Sequence, residues 1–301
     1  MHQAIASKRL PLPFTKIELM PELPEVETIA RGVDKRVRGD RIDQVWFSQQ
    51  PQPFKTSTAR QVKGLTGRPF LSVHRAGKHI VCELGSKDGA AETTESGKPQ
   101  AQWIVHLGMT GRLLVTAAET PVERHTHARI VLGSGRELRF VDPRRFGRLE
   151  FRDLAQREAF KAPGAEPLII EADAFARLFR GRCLAIKAAL LNQSLLAGVG
   201  NIYADESLFH AGIRPKRVAG RLTRAELERL RGALRQVLTQ AIRLGGSSVS
   251  DYVDAGGERG FFQLEHCVYQ RTGEPCRRCQ TSIRRILLAG RGTHFCPKCQ
   301  R

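Results

Sequence analysis

No apolar run in this chain reaches the length of a membrane span and no amphipathic anchor stands out, which leaves a bilayer without a handle on it. Residues 1–19 contain Lys8, Arg9 and Lys16 but no apolar core of the kind a signal peptide needs. Cysteine is sparse and uneven: there are seven in 301 residues, with Cys82, Cys183 and Cys267 isolated and Cys276, Cys279, Cys296 and Cys299 in two pairs. That distribution excludes a secreted disulfide framework and points to a reducing compartment and a metal. Negative charge is also short, 30 acidic residues against 49 basic ones, for a net +19. A polyanion is therefore the natural partner, and nucleic acid fits better than a membrane surface. Internal repeats are missing. What remains is a chain with 41% hydrophobic residues, long enough for two domains and a small appendage.

The stretch Met20-Pro21-Glu22-Leu23-Pro24-Glu25-Val26-Glu27 organises the reading of the first half. Pro24 suits a first helical turn, Glu25 and Glu27 complement its positive end, and Val26, Ile29, Val33 and Val37 recur at helical spacing, predicting a helix over 24–38. Glu25 and Glu27 read as helix-start residues; Glu22 precedes the helix and is freer to face a substrate. Pro21 has two chemical lives. Inside the chain its nitrogen is a tertiary amide with no proton, whereas at a chain terminus it is a secondary amine and a nucleophile. We expect the functional chain to start here, with residues 1–20 an extension arising from a misassigned start or a short transit-like tail.

Short alternating runs with Gly-bearing turns follow at 44–47, 69–75, 79–84, 103–107, 112–115, 128–132 and 137–141, predicting an antiparallel β-sandwich over 21–151. A polar segment, 86–102, reads as a solvent loop between two strands. Two further loops, His106-Leu107-Gly108-Met109-Thr110-Gly111 and Asp142-Pro143-Arg144-Arg145-Phe146-Gly147, carry a flexible or aromatic side chain between turn residues. Each alone reads as turn packing; together, in so basic a chain, they also read as wedges for a duplex void left by a flipped base. After a linker at 152–170 the pattern turns helical over 171–262, with candidate helices at 172–180, 184–193 and 201–210. The Gly-spaced turn at 195–200 presents backbone N–H groups at a helix start, a phosphate-binding device. Thr223 and Glu226 form a capping box for another helix that ends at Gly245. The Gly-rich stretch 244–262 fits a closing loop and an idle linker equally.

The tail, 263–301, holds the most specific motif: Cys276-x2-Cys279, sixteen residues, Cys296-x2-Cys299. Four thiolates at this spacing complete a closed tetrahedral site for one structural Zn2+. Between residues 259 and 301 nine basic residues face two acidic ones, so the ribbon remains basic with zinc bound. Arg291 lies between the cysteine pairs, where a guanidinium can reach a phosphate.

These pieces, PELPEVE, RAGKHI around Lys78, HLGMTG, DPRRFG, AIKAALLNQSLLAGVGNIYADESLFHAGI and the cysteine ribbon, resemble the bacterial formamidopyrimidine-DNA glycosylases along nearly all of residues 20–301. The related endonuclease VIII group is less similar, because its opening departs from PELPEVE and it lacks the Met and Arg-x-Phe set. The resemblance implies an α+β fold: an N-terminal antiparallel β-sandwich with a flanking helix, a helix-two-turn-helix domain and a C-terminal zinc ribbon. It implies a monomeric, cytoplasmic enzyme working with the bacterial chromosome on damaged double-stranded DNA, removing 8-oxoguanine and formamidopyrimidines and nicking the abasic strand. Position by position, Pro21 resembles the nucleophile and Glu22 the proton donor to the opening sugar. Lys78 resembles the lysine that assists at the abasic centre, and Arg291 the arginine at the phosphate during elimination. Met109, Arg144 and Phe146 resemble the void-filling set, with Arg144 facing the orphan cytosine; His125, Arg182, Lys187 and Asn201 resemble backbone contacts. An α-amine with pKa near 8 is roughly 10% unprotonated at neutral pH against about 0.04% for lysine, which favours the terminal nitrogen as nucleophile. If Pro21 is not the mature terminus, the alternative is a non-catalytic basic zinc-ribbon DNA-binding protein.

Overall fold

The computed structural model describes residues 20–50, 54–87, 98–248 and 252–301. The extension at 1–19, the middle of the polar loop and residues 249–251 of the Gly-rich stretch lie outside them. Helix α1 (Leu23–Val37) starts one residue before the expected position, with Pro24 in its first turn. Its apolar stripe buries Val26, Ile29, Val33 and Val37 against the sandwich core, each side chain contributing about 1.5–3 kcal/mol. Leu23 departs from that stripe and enters the core of the helical domain instead. The backbone N–H of Leu23 donates to Gly198 O at 3.0 Å, so α1 is pinned at its first turn to the second domain.

Eight strands form two four-stranded antiparallel sheets: β1 (Ile42–Phe47), β2 (Phe70–Ala76), β3 (His79–Leu84), β4 (Ala101–His106), β5 (Arg112–Ala117), β6 (Thr126–Leu132), β7 (Arg136–Val141) and β8 (Arg148–Asp153). Their orders are β1-β6-β7-β5 and β2-β3-β4-β8. Two elements are additional to the sequence expectation, β8 and the short helix α2 (Thr58–Leu65). In β8, Leu149 and Phe151 point into the core while Arg148, Glu150 and Arg152 alternate outward, a strand whose charged face hides its period. In α2 only Gln61 and Leu65 are buried, too few for a helical stripe to show.

The helical domain comprises α3 (Ala172–Phe179), α4 (Ile186–Leu191), α5 (Asn201–Ala211) and α6 (Arg224–Arg243) around a separate core. Helix α4 is shorter than expected because Gln193 leaves it to close the turn, donating to Leu191 O at 3.0 Å and Val199 O at 2.7 Å. The capping box is present: Glu226 N–H donates to Thr223 Oγ1 and Thr223 N–H to Glu226 Oε2. The tail folds as a hairpin, β9 (Arg284–Leu288) and β10 (Arg291–Phe295), on its own small cysteine-containing core. The Gly-rich stretch spans both domains. Tyr252 and Ala255 sit in the sandwich core, Val115 N–H donates to Ala255 O, and Phe262 belongs to the helical core. Its described parts are thus docked at both ends, unlike an idle linker.

Candidate active site

A cleft of about 540 Å³ lies where the first turn of α1, the β2–β3 hairpin, the α4–α5 turn and the β9–β10 hairpin meet. Glu22, Lys78, Met109, Asn201 and Arg291 all line it. Gly200, the residue before α5, has no room for a side chain, since a Cβ there would sit 2.1–2.6 Å from the Glu22 side chain. That close approach lets Glu22 Oε1 accept from Ile202 N–H in the first turn of α5. Its other oxygen, Oε2, is buried with no hydrogen-bond partner among the described residues. Burial outweighs the opposing pull of Lys78, and the Glu22 pKa is pushed up to about 7. A carboxyl so placed is partly protonated at neutral pH and keeps one buried oxygen without a partner among the described residues.

Lys78 sits in the hairpin turn between β2 and β3. Burial lowers its pKa, Glu22 opposes that shift and Arg291 adds to it, so the three groups form one electrostatic cluster. Met20 is on the cleft wall and Pro21 is buried directly behind it. With Met20 attached, the Pro21 nitrogen is an amide under a side chain; without it, that nitrogen becomes the first atom of the chain beside Glu22.

The two candidate wedge loops are brought together. A Cβ at Gly108 would meet the backbone of Phe146 and Gly147 at 2.6–2.9 Å, and its φ of +66° is one that glycine adopts at little cost. Asp142 ties the loops, accepting from Thr110 Oγ1 at 2.6 Å and from Gly147 N–H at 2.7 Å. Arg144 stacks its guanidinium 4.8 Å from the centre of the Phe146 ring, which is 48% exposed. His125, in the left-handed region at φ +69°, accepts from Asp142 N–H through its carbonyl and so flanks the same loop.

Of the remaining candidates, Asn201 reaches the cleft and donates to Gly292 O at 3.2 Å and towards the Tyr269 hydroxyl. Arg182 is not among the cleft-lining residues; it is exposed, with Nε donating to Leu178 O at 2.6 Å. Lys187 requires a correction. A phosphate contact demands an accessible ammonium, yet Lys187 is 0% exposed and ion-paired with the equally buried Asp205 at 2.7 Å. Its Nζ also donates to Gly292 O and Thr293 Oγ1, so it holds the zinc hairpin against α4 and α5. Asp205 extends the staple by accepting from His294 N–H at 2.8 Å.

Glu25 is a second correction, because it is more than a helix-start residue. Buried at 3% exposure, it accepts from the Tyr203 hydroxyl at 2.5 Å, Ser247 N–H at 2.7 Å and Glu22 N–H at 3.0 Å. It thereby joins α1, α5 and the Gly-rich stretch, and burial raises its pKa. Sequence reasoning also passed over His106 and Tyr269, both on the cleft wall. His106 stood in a motif already singled out, whereas Tyr269 had no local signal.

The Sγ atoms of Cys276, Cys279, Cys296 and Cys299 lie within 4.8 Å of one another, with separations of 3.9 Å for Cys276–Cys299 and 3.5 Å for Cys279–Cys296. Zn–S bonds of about 2.3 Å at tetrahedral angles place sulfurs about 3.8 Å apart, so the four fit one zinc ion with no open position. No helix among the described residues is long and apolar enough to cross a membrane.

Three family models match in chain order: the formamidopyrimidine-DNA glycosylase N-terminal domain at 20–149, its H2TH domain at 164–253, and the zinc finger found in FPG and IleRS at 273–301. A formamidopyrimidine-DNA glycosylase of Solibacter usitatus is 43% identical, with 94% of this chain and all of that protein aligned. Lactococcus lactis Fpg in complex with abasic-site DNA matches at a TM-score of 0.80 and 34% identity, covering 93% of this chain and 99% of that one. The same protein with an N7-Benzyl-Fapy-dG containing DNA matches at 0.80 and 33%, covering 93% and 100%. With its three domain models in order and its length shared almost completely with these relatives, the chain belongs to the formamidopyrimidine-DNA glycosylase family.

Proposed function

We propose that this protein, once its chain begins at Pro21, removes oxidised purines such as 8-oxoguanine and formamidopyrimidines from duplex DNA and then cleaves the abasic strand, in the cytoplasm with the bacterial chromosome. The observation that carries the reading is the meeting of Glu22, Lys78 and Arg291 beside Pro21 in one cleft between a sandwich and a helical domain. The secondary amine of Pro21 attacks C1′, the glycosidic C–N bond breaks, and the base leaves with its bonding electrons and takes up the proton that the attacking nitrogen sheds. Glu22 gives its proton to the ring oxygen O4′, opening the sugar and leaving a cationic iminium between Pro21 and C1′. That iminium acidifies the C2′ proton; its loss expels the 3′ phosphate, and a second elimination expels the 5′ phosphate. Hydrolysis of the remaining iminium returns the amine.

Lys78 and Arg291 neutralise the phosphates as they depart, and their mutual repulsion keeps the cleft receptive to an anion. Met109, Arg144 and Phe146 fill the void left by the extruded nucleotide, Arg144 on the side of the orphan base, with His125 and Asn201 on the backbone. The zinc ion supplies no step; its four thiolates hold the hairpin that carries Arg291. Replacing Pro21 by Gly retains a terminal amine but makes it primary. In a borohydride time course on a duplex with 8-oxoguanine opposite cytosine, Pro21→Gly should trap more slowly than the parent. Equal trapping would refute the special role of the secondary amine.

A further inference from the structure

The antiparallel register sets His79 opposite His106 and His106 opposite Arg148, so three adjacent strands present one row of side chains at the cleft end of their sheet. Their neighbours Ile80, Val105 and Leu149 point into the sandwich core, which turns the row to the outer face. Lys55 joins it at the edge, held beside β8 by its backbone N–H donating to Leu149 O at 3.0 Å. These four residues, with Ile104, Glu150 and Phe160, enclose a hollow of about 280 Å³. His79 and His106 line both this hollow and the catalytic cleft, so the hollow is a side branch of the cleft.

Its chemistry is that of an anion site. The one carboxylate on its wall, Glu150, is bonded to Arg152 at 2.8 Å and Arg157 at 3.4 Å. Among the described residues neither Lys55 nor Arg148 has an ion-pair partner, which leaves two cations in excess. His106 accepts Gly108 N–H at Nδ1, which assigns its own proton to Nε2 and makes that nitrogen a donor. His79 Nδ1 is buried without a hydrogen-bond partner among the described residues. Neutral imidazoles flanked by two exposed cations suit a phosphodiester, which offers acceptors and a single negative charge.

We propose that Arg148 and Lys55 anchor a backbone phosphate of the lesion-bearing strand beyond the catalytic cleft, with the His79–His106 pair as the path between them. This rests on the DNA-binding reading above. Strands about 4.8 Å apart make the row about 10 Å long, which sets the anchored phosphate about two to three nucleotides from the lesion.

The test is equilibrium binding of a duplex carrying a tetrahydrofuran abasic analogue, measured against salt for the parent, the Lys55→Ala/Arg148→Ala double variant and Arg148→Lys. Losing one phosphate contact should reduce the slope of log K against log salt by about 0.9 in the double variant, while Arg148→Lys keeps the parent slope. Neutral methylphosphonate linkages, introduced singly, should weaken the parent at one position two to three nucleotides from the lesion and leave the double variant indifferent there. A parent slope in the double variant, or equal weakening of both proteins at every linkage, would overturn the proposal. So would inhibition of the parent by inorganic phosphate beyond that of chloride at equal ionic strength with no linkage dependence, which would make this a free-anion site. Both side chains are exposed, and matching urea midpoints would verify that folding is untouched. Binding this duplex involves no nucleophile, so a failure of covalent chemistry at Pro21 would leave the result interpretable.

Discussion

At the scale of single residues, the proposed mechanism asks Glu22 to be neutral when the sugar opens, and its surroundings favour that form: buried, one oxygen without a partner among the described residues, pKa pushed up to about 7. The amine beside it must instead be unprotonated, which for an ordinary α-amine begins near pH 8. Single-turnover iminium formation, read by borohydride trapping, should therefore rise to a plateau between about pH 7 and 8 and fall above it. In Glu22→Gln the fall at high pH should vanish, at a rate reduced by about 10²–10⁴. The same burial has a cost in stability. A carboxyl whose pKa is raised from 4.5 on folding binds its proton more tightly in the folded state, so stability declines as pH rises from 4.5 to about 7 and the full penalty applies above that. It amounts to about 3 kcal/mol. Glu22→Gln should accordingly raise the urea-unfolding free energy at pH 8 and leave it nearly unchanged at pH 4; an equal effect at both values would rule out this origin.

At the scale of elements, the cleft depends on how the zinc hairpin is held. Four thiolates fix the hairpin internally, and the buried Lys187–Asp205 pair fixes it to α4 and α5. Cys296→Ser should release zinc and weaken duplex binding, read by metal analysis and by affinity in parallel; zinc loss with unchanged affinity would contradict the structural role. Lys187→Met leaves Asp205 buried without its lysine, held only by His294, a loss of about 3–5 kcal/mol by the usual behaviour of broken buried pairs. A change below about 1 kcal/mol would mean the pair is not the staple its geometry implies. Sequence patterns disclosed the elements themselves unevenly. The stripe of α1, the capping box of α6 and the cysteine spacing are local signals, and all three were legible. Strand β8 was not, because its outward residues are charged and its two inward ones are too few to mark a period. The burial of Lys187 and Glu25 was hidden for another reason: each partner lies far along the chain, Glu25 meeting Tyr203 and Ser247, and Lys187 meeting Thr293. A lysine in a helix reads as surface until the opposing carboxylate is located.

At the scale of the whole molecule, two cores meet along one helix, and the stretch that first drew attention is the hinge between them. Leu23 belongs to the helical core and Val26 to the sandwich, so Pro21 and Glu22 stand where the domains join and a duplex can lie across both. The net charge of +19 then supplies attraction over the whole surface while the cleft supplies selectivity. In the proposed mechanism activity turns on the covalent state of one nitrogen, that of Pro21. The most direct measurement incubates two forms of the protein, one confirmed by intact mass to begin at Pro21 and one retaining residues 1–20, with an 8-oxoguanine:cytosine duplex and borohydride. The account predicts a one-to-one reduced covalent adduct at Pro21 in the first form and none in the second; no adduct from the first, or equal adduct from both, would contradict it.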